Sequence, residues 1–150
     1  MRQSLIPART RSGAIYENCF VDRKTGSLWR RTKQGVIKKM TIYLGTGPYC
    51  YPRVAIYNQS TKKCFQTYAH LVVADTCVPF NPVASGFLKE NGISLQDWKR
   101  TPDSVKRAIK RRSLQVNHID HNKANYHPSN LEWVTAQANQ RKYQEHRRNS

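Results

Sequence analysis

Residues 116–139, VNHIDHNKANYHPSNLEWVTAQAN, gather three histidines, five asparagines and one aspartate into a short stretch. An imidazole with an ordinary pKa near 6.5 can take up a proton at neutral pH, so a histidine here is a candidate general base. Amide oxygens are hard donors that suit a cation such as Mg²⁺, which keeps several waters and needs few protein groups. Zinc is a poorer match. His118, His121 and His127 follow an H-x2-H-x5-H spacing with no closing partner at a familiar separation.

The elements around these residues are legible. LQVNH, residues 114–118, reads as a strand; a polar loop runs to Pro128-Ser129; LEWV, residues 131–134, reads as the return strand. Thr135 is a good N-cap, and AQANQRKYQEHRR after it is a strong helix former with bases in its last turns. With almost no linker between strand and helix, Asn139 falls in the first helical turns, where it can return beside Asn117 and His118. Trp133 shares a strand face with Leu131 and is expected in the core.

Upstream, Thr101 as N-cap and Pro102 at the first helical position predict a helix through SVKRAIKRR. Lys99 to Arg112 carry seven bases against Asp103 alone, and the acid lies at the helix's positive end. Before it, SLWRRT, VIKKMTIYL, YCYPRVAIYN and KCFQTY read as strands of one antiparallel meander, punctuated by Lys33-Gln34-Gly35, Gly45-Thr46-Gly47-Pro48 and Asn58-Gln59-Ser60-Thr61. Val36, Met40, Ile42 and Leu44 are expected on one face; Tyr51, Arg53 and Tyr57 oppose Val54 and Ile56. AHLVVADTCV reads as a short helix on the apolar face, stopped by Pro79 and Pro82, with His70 a structural histidine. Residues 1–25 show no period before a turn at Lys24-Thr25-Gly26, and residues 80–97 are mixed.

Composition narrows the partner. Lys and Arg total 26 against 9 acids, a net charge of +17 in 150 residues. Such a surface calls for a polyanion, and nucleic acid fits best. No apolar run of about 18 residues is present, so no membrane span is expected. The basic N-terminus lacks the apolar core of a secretory signal. Cys19, Cys50, Cys64 and Cys77 form no C-x-x-C pair. They are expected to be reduced thiols of a cytoplasmic protein rather than a structural zinc site.

V-N-H-I-D-x-N-K-x-N, followed by P-S-N-L-E-W-V-T and a final Asn, resembles the HNH module of phage homing endonucleases, over residues 116–143. HLVVADTCVP also resembles the H-x-L-V-A-x-x-F-x-P segment that often precedes that module. With the elements read above, the chain is expected to be α+β, and the resemblance implies a ββα-metal fold for its last part. Residues 1–97 would be a β-rich, DNA-contacting region with a short helix, residues 98–112 a basic helix, and residues 113–150 a ββα-metal nuclease module, all within one domain or nearly so. It implies hydrolysis of DNA phosphodiesters to 5′-phosphate and 3′-hydroxyl ends, in the host cytoplasm for a phage-encoded enzyme. His118 would be the general base, Asn117 and Asn139 the ligands of one divalent metal (Mg²⁺, with Mn²⁺ the alternative), and Asn130 the tie that holds the loop backbone.

Phosphodiester hydrolysis needs an activated water, a cation on the phosphate and help for the leaving oxygen, which this set could provide. Many family members carry Asp or His where this chain has Asn117. Asp120, His121 and His127 are additional site candidates, with loop organisation or phosphate contact as their alternatives. Double-stranded DNA is the expected partner, met by Arg53 on the sheet face, by Lys106, Arg107, Lys110, Arg111 and Arg112 on the basic helix, and by Lys123, Arg141 and Lys142 in the last unit. Two other functions fit the same residues: a sequence-tolerant nickase, and a nucleic-acid-binding protein whose module has lost its chemistry. Monomer and homodimer are both open.

Overall fold

In the computed structural model, residues 2–46 and 50–150 are described, so part of the predicted break at Gly45-Thr46-Gly47-Pro48 and the start of the predicted strand at Tyr49 lie outside them. The order is β1 (Leu5–Arg9), β2 (Ile15–Asp22), β3 (Leu28–Arg31), β4 (Ile37–Lys39), β5 (Arg53–Asn58), β6 (Lys63–Tyr68), α1 (Ala69–Cys77), α2 (Phe87–Asn91), α3 (Leu95–Arg100), α4 (Asp103–Ser113), β7 (Leu114–His118), β8 (Leu131–Thr135) and α5 (Ala136–Arg148). The class is α+β: an N-terminal β region, helices, then a ββα unit.

The N-terminal β region departs from the single meander expected. β1-β2-β3-β4 form one four-stranded sheet and β5-β6 a separate hairpin, with Tyr43 and Arg53 making an isolated bridge between the two stretches. β1 and β2 occupy a segment whose sequence shows no period. Asn18 takes φ 58, which interrupts the side-chain alternation, and the β1–β2 register shifts between Pro7 and Arg9. The strand expected over residues 36–44 is confined to Ile37–Lys39; Met40 turns inward, while Val36 and Leu44 stay exposed.

The turns follow local chemistry. Asp22 Oδ1 accepts from Lys24 N–H at 2.9 Å, and Gly26, at φ 76, closes the β2–β3 turn by donating to Asp22 O at 2.7 Å. Asn58 Oδ1 does the same for β5–β6, accepting from Ser60 and Thr61 N–H.

α1 packs on the sheets and on the ββα unit, so its apolar Val72, Val73 and Ala74 are buried on several sides. The mixed segment before the basic helix contains α2 and α3, drawn together by an edge-to-face cluster of Phe80, Phe87 and Trp98 with centroids 5.5–6.2 Å apart. The helix start differs by one element. Thr101 closes α3, its N–H donating to Trp98 O and its hydroxyl to Asp97 O, and Pro102 occupies the N-cap of α4.

One continuous core runs from Ala8 and Val21 through Val54, Val72 and Trp98 to Leu131 and Trp133. Trp133 is the link between regions: its indole N–H donates to Val78 O at 3.0 Å, and it is buried as expected. Among the described residues, no helix is long and apolar enough to cross a membrane.

Candidate active site

β7 and β8 pair antiparallel with Asn117 opposite Glu132 and His118 opposite Leu131. Successive strand residues face opposite ways. Leu114, Val116 and His118 therefore share one face with Leu131 and Trp133, toward the core and α1, while Gln115 and Asn117 share the other with Glu132 and Val134, toward α5. Thr135 starts α5 by accepting from Ala138 N–H at 3.1 Å, which fixes how that helix crosses the hairpin.

On the core face His118 is only 6% exposed. Its ring lies 4.9 Å from that of His70, edge-on, and 5.8 Å from Tyr51. Burial lowers the His118 pKa below the ordinary imidazole value; Asp120 acts against this and Lys123 with it. The ring is therefore neutral at neutral pH and able to accept a proton. Its Nε2 and the Nδ1 of His70 are both buried without a hydrogen-bond partner among the described residues. His70 is thus more than a satisfied core histidine, because its unpaired nitrogen belongs to the cluster around His118. Tyr68 stacks on His70 at 5.6 Å, Lys123 stands 5.3 Å over Tyr51, and Arg53 stands 5.4 Å over Tyr68.

Burial, with His118 and Arg11 in the same sense, pushes the His70 pKa down to about 3 from 6.5. The unfolded chain binds a proton below 6.5 where the folded chain does not. The stabilisation is therefore complete above pH 6.5 and is lost as pH falls toward about 3, at up to about 1.4 kcal/mol per pH unit. Asp75, pushed up to about 6 from 3.8 by burial, acts in the opposite sense over a narrower span. Asp75 offsets His70 over most of the range below pH about 6, so the readable effect is the difference between proteins. The Tm of His70→Asn should rise relative to wild type as pH falls from neutral to about 4.5. A Tm difference between variant and wild type that does not change with pH would count against this account.

On the α5 face, Asn117 donates through Nδ2 to Glu132 Oε1 at 2.8 Å, and Asn139 donates through Nδ2 to Gln115 Oε1 at 2.9 Å. The two asparagines are thus oriented by different partners rather than by each other. Each amide nitrogen is tied off, and each Oδ1 accepts no hydrogen bond among the described residues. Lys142 Nζ completes the row by pairing with Glu132 Oε1 at 2.7 Å. A recess of about 280 Å³ opens here, lined by Asn117, Glu132, Lys142 and Glu145 among others. Asn117 and the Glu132 carboxylate are hard-oxygen donors of the kind a divalent cation takes, but Asn139, held at Gln115, is not among the residues lining this recess. Among the described residues no three His, Cys, Asp or Glu side chains converge as a metal-holding group, so amides are essential to such a site.

The loop between the strands is organised from within. Asn130 Oδ1 accepts from Asp120 N–H at 3.0 Å, and its Nδ2 donates to Asp120 Oδ1 and Asn125 O. Asp120 also accepts from Asn125 Nδ2 and Asn122 N–H, in that order the leading causes holding its carboxyl below the usual range. His121, at φ 61, stacks on His146 of α5 with centroids 3.8 Å apart. His127 Nδ1 accepts from Ser129 N–H at 3.2 Å and caps the 3-10 turn of residues Pro128–Asn130. His121 lines the recess with Asn117 on the α5 face, whereas His127 serves the 3-10 turn.

The basic residues divide into two sets. Arg107, Arg111 and Arg112 are exposed on α4. Lys106 and Lys110 turn inward, their ammonium groups 5.3 Å over Trp98 and 4.3 Å over Trp133, and their stems cover the indoles. Arg141 lies 3.8 Å from Glu90, and Lys142 is held by Glu132. Sequence reasoning missed Glu132, which the pairing of VNH with LEWV would have placed opposite Asn117. It also missed the proximity of His70 to His118, for which the His at the head of HLVVADTCVP gave a signal, and that Tyr51, expected on the basic strand face, lies against both rings.

The HNH endonuclease family matches residues 109–141. A solved structure described as DNA binding and cleavage by the HNH homing endonuclease I-HmuI is similar with a TM-score of 0.55 at 20% identity, over 87% of this chain and 53% of that one. At that identity the likeness is one of fold, and this chain spans about half of that protein's length. No curated protein matches the sequence.

Proposed function

The chain has the fold of the HNH endonuclease family, and from that premise we propose that it is a metal-dependent DNA endonuclease. It hydrolyses phosphodiester bonds to 5′-phosphate and 3′-hydroxyl ends, in the manner of a phage homing enzyme. One observation carries the reading: a buried neutral imidazole, His118, adjoins Asn117 on the same strand end, with the free amide oxygens of Asn117 and Asn139 on the opposite face. In-line displacement at phosphorus places the attacking and leaving oxygens on opposite sides, so a base on one face and a cation on the other suit a phosphate seated over that end.

His118 takes a proton from the attacking water. Its burial keeps it unprotonated and therefore competent as a base. Arg53 and Lys123, at the rim of the aromatic cluster, supply cationic contacts for the DNA backbone. Asn117 and Asn139 would hold one Mg²⁺ or Mn²⁺, which when bound stabilises charge on the phosphate and the leaving oxygen. Asn130 and Asp120 keep the loop closed so that the strand end stays in register.

Supercoiled plasmid incubated with the protein and Mg²⁺ or Mn²⁺ should convert to nicked or linear product, and mapped ends should carry 5′-phosphates. Failure to cut either supercoiled or cognate DNA with both ions would defeat the reading in favour of a binding-only protein. That alternative draws on Glu132, whose charge is already met by Lys142, and on the neutral residue at position 117. Scattered cut positions would instead identify a sequence-tolerant nickase.

A further inference from the structure

A second recess, of about 480 Å³, lies between the β1–β2 turn and α4, lined among others by Arg9, Arg11, Ser12, Asp75, Arg107 and Lys110. None of the residues placed at the cleavage site lines it. Its walls are built from separate parts of the chain. The turn is closed by Thr10 N–H donating to Ala14 O at 2.8 Å and by Gly13 N–H donating to Thr10 O at 2.9 Å, and Arg9 Nη1 donates to Gly13 O at 2.9 Å. Gly13 turns at φ 87, a conformation that favours glycine, and Arg107 packs beside it.

The charges within it are unbalanced. Arg11 Nε lies 3.6 Å from the buried carboxylate of Asp75. The Arg11 guanidinium and the Lys110 ammonium both stand over Trp133, at 5.1 Å and 4.3 Å. Arg9 and Arg107 have no acidic partner among the described residues. Four cations thus share one carboxylate, and the Thr10 and Ser12 hydroxyls, 2.8 Å apart, are on the same turn. Gathering that much like charge into one hollow costs free energy that an anion would offset. Guanidinium forks and hydroxyls together are donors matched to phosphate oxygens.

From this we infer that the recess between the β1–β2 turn and α4 is a phosphate seat for the DNA backbone, separate from the cleavage site. The inference rests on DNA being the substrate. Trp133, under the Arg11 and Lys110 side chains that line the seat, pairs with Val116, two residues before His118 on the same strand, or roughly 7 Å along it. Two of the seat's cations therefore rest on the hairpin that carries the base, which fixes the spacing between seat and base. A backbone phosphate held at the first sets which phosphodiester reaches the second.

The test uses Arg9→Gln and Ser12→Asp in the full chain, with Lys33→Gln on the β3–β4 turn as an equal-charge control for Arg9→Gln. Duplex DNA binding is followed by fluorescence anisotropy across a salt series without divalent metal. Arg9→Gln should weaken binding about fivefold or more and reduce the slope of log K against log salt by about one. Ser12→Asp should weaken it further, and Lys33→Gln should do neither. Equal losses in the control and in Arg9→Gln would overturn the seat in favour of diffuse charge.

Calorimetry with inorganic phosphate alone gives a second arm. Wild-type binding no tighter than millimolar supports a polymer-backbone seat, whereas tight binding lost in Ser12→Asp would make it a free-anion site. Unchanged DNA affinity and salt slope in both variants, with plasmid cleavage intact, would remove the seat and leave the endonuclease reading standing. Wild-type protein that neither binds nor cuts DNA would remove both.

Discussion

His118→Ala should abolish plasmid cleavage, by a factor on the order of 10² to 10⁴, while duplex DNA affinity stays within about twofold of wild type. The asymmetry follows from where the ring sits. It is buried among Tyr51 and His70 rather than presented with the exposed arginines of α4, so it contributes little to salt-dependent attraction. Removing it takes away the buried, unprotonated imidazole next to Asn117 on the strand. The void left against His70 could lower stability, so a melting curve should accompany the assay, and His118→Asn provides a variant of better matched volume. Cleavage rates in both variants close to wild type at a temperature where they remain folded would exclude His118 as the base.

Gly26→Val should produce the largest loss of stability. The residue sits at φ 76, where an L side chain costs about 1–2 kcal/mol and a β-branched one more. A Cβ there would also come 2.8 Å from Tyr126 O and 3.0 Å from Pro128 Cδ, and the nearer obstacle is backbone that cannot swing aside. The β2–β3 turn and the loop carrying Asp120 and Asn130 would have to separate. We expect a loss of about 3 kcal/mol or more, or a Tm lower by roughly 10 °C, with cleavage reduced even below the new Tm. Gly35→Val is the comparator: φ is 80 there, but nothing lies within 4 Å of the added Cβ. Its loss should be confined to the backbone term. Equal losses in the two variants would show that contact between turn and loop does not matter.

These features differ in how far local sequence could reveal them. The ββα unit was legible because each part is local: alternation in LQVNH and LEWV, a threonine cap, then a helical run without Gly or Pro. The β5–β6 hairpin and α1 were legible for the same reason. β1 and β2 were not, because Asn18 and the register shift break the alternation that marks a strand. The division into two sheets was hidden as well, since Val36 and Leu44 continue an apolar pattern that the backbone abandons after Lys39. At the site, His118 and Asn117 stood out by residue type. Glu132 gains its place through strand register and His70 through packing across 48 positions, neither of which composition records.

Trp133 bears on whether the nuclease unit is portable. Its N–H is held by Val78 O, and Arg11 and Lys110 stand over its ring; all three partners precede residue 113. A cassette excised at that boundary would bare an indole whose burial is worth about 4–6 kcal/mol. Transplanted into another gene, the hairpin and helix would carry the reactive groups but arrive without the lid over their largest apolar side chain. Any recipient would have to supply a carbonyl and two cationic stems of its own before the graft could hold its shape.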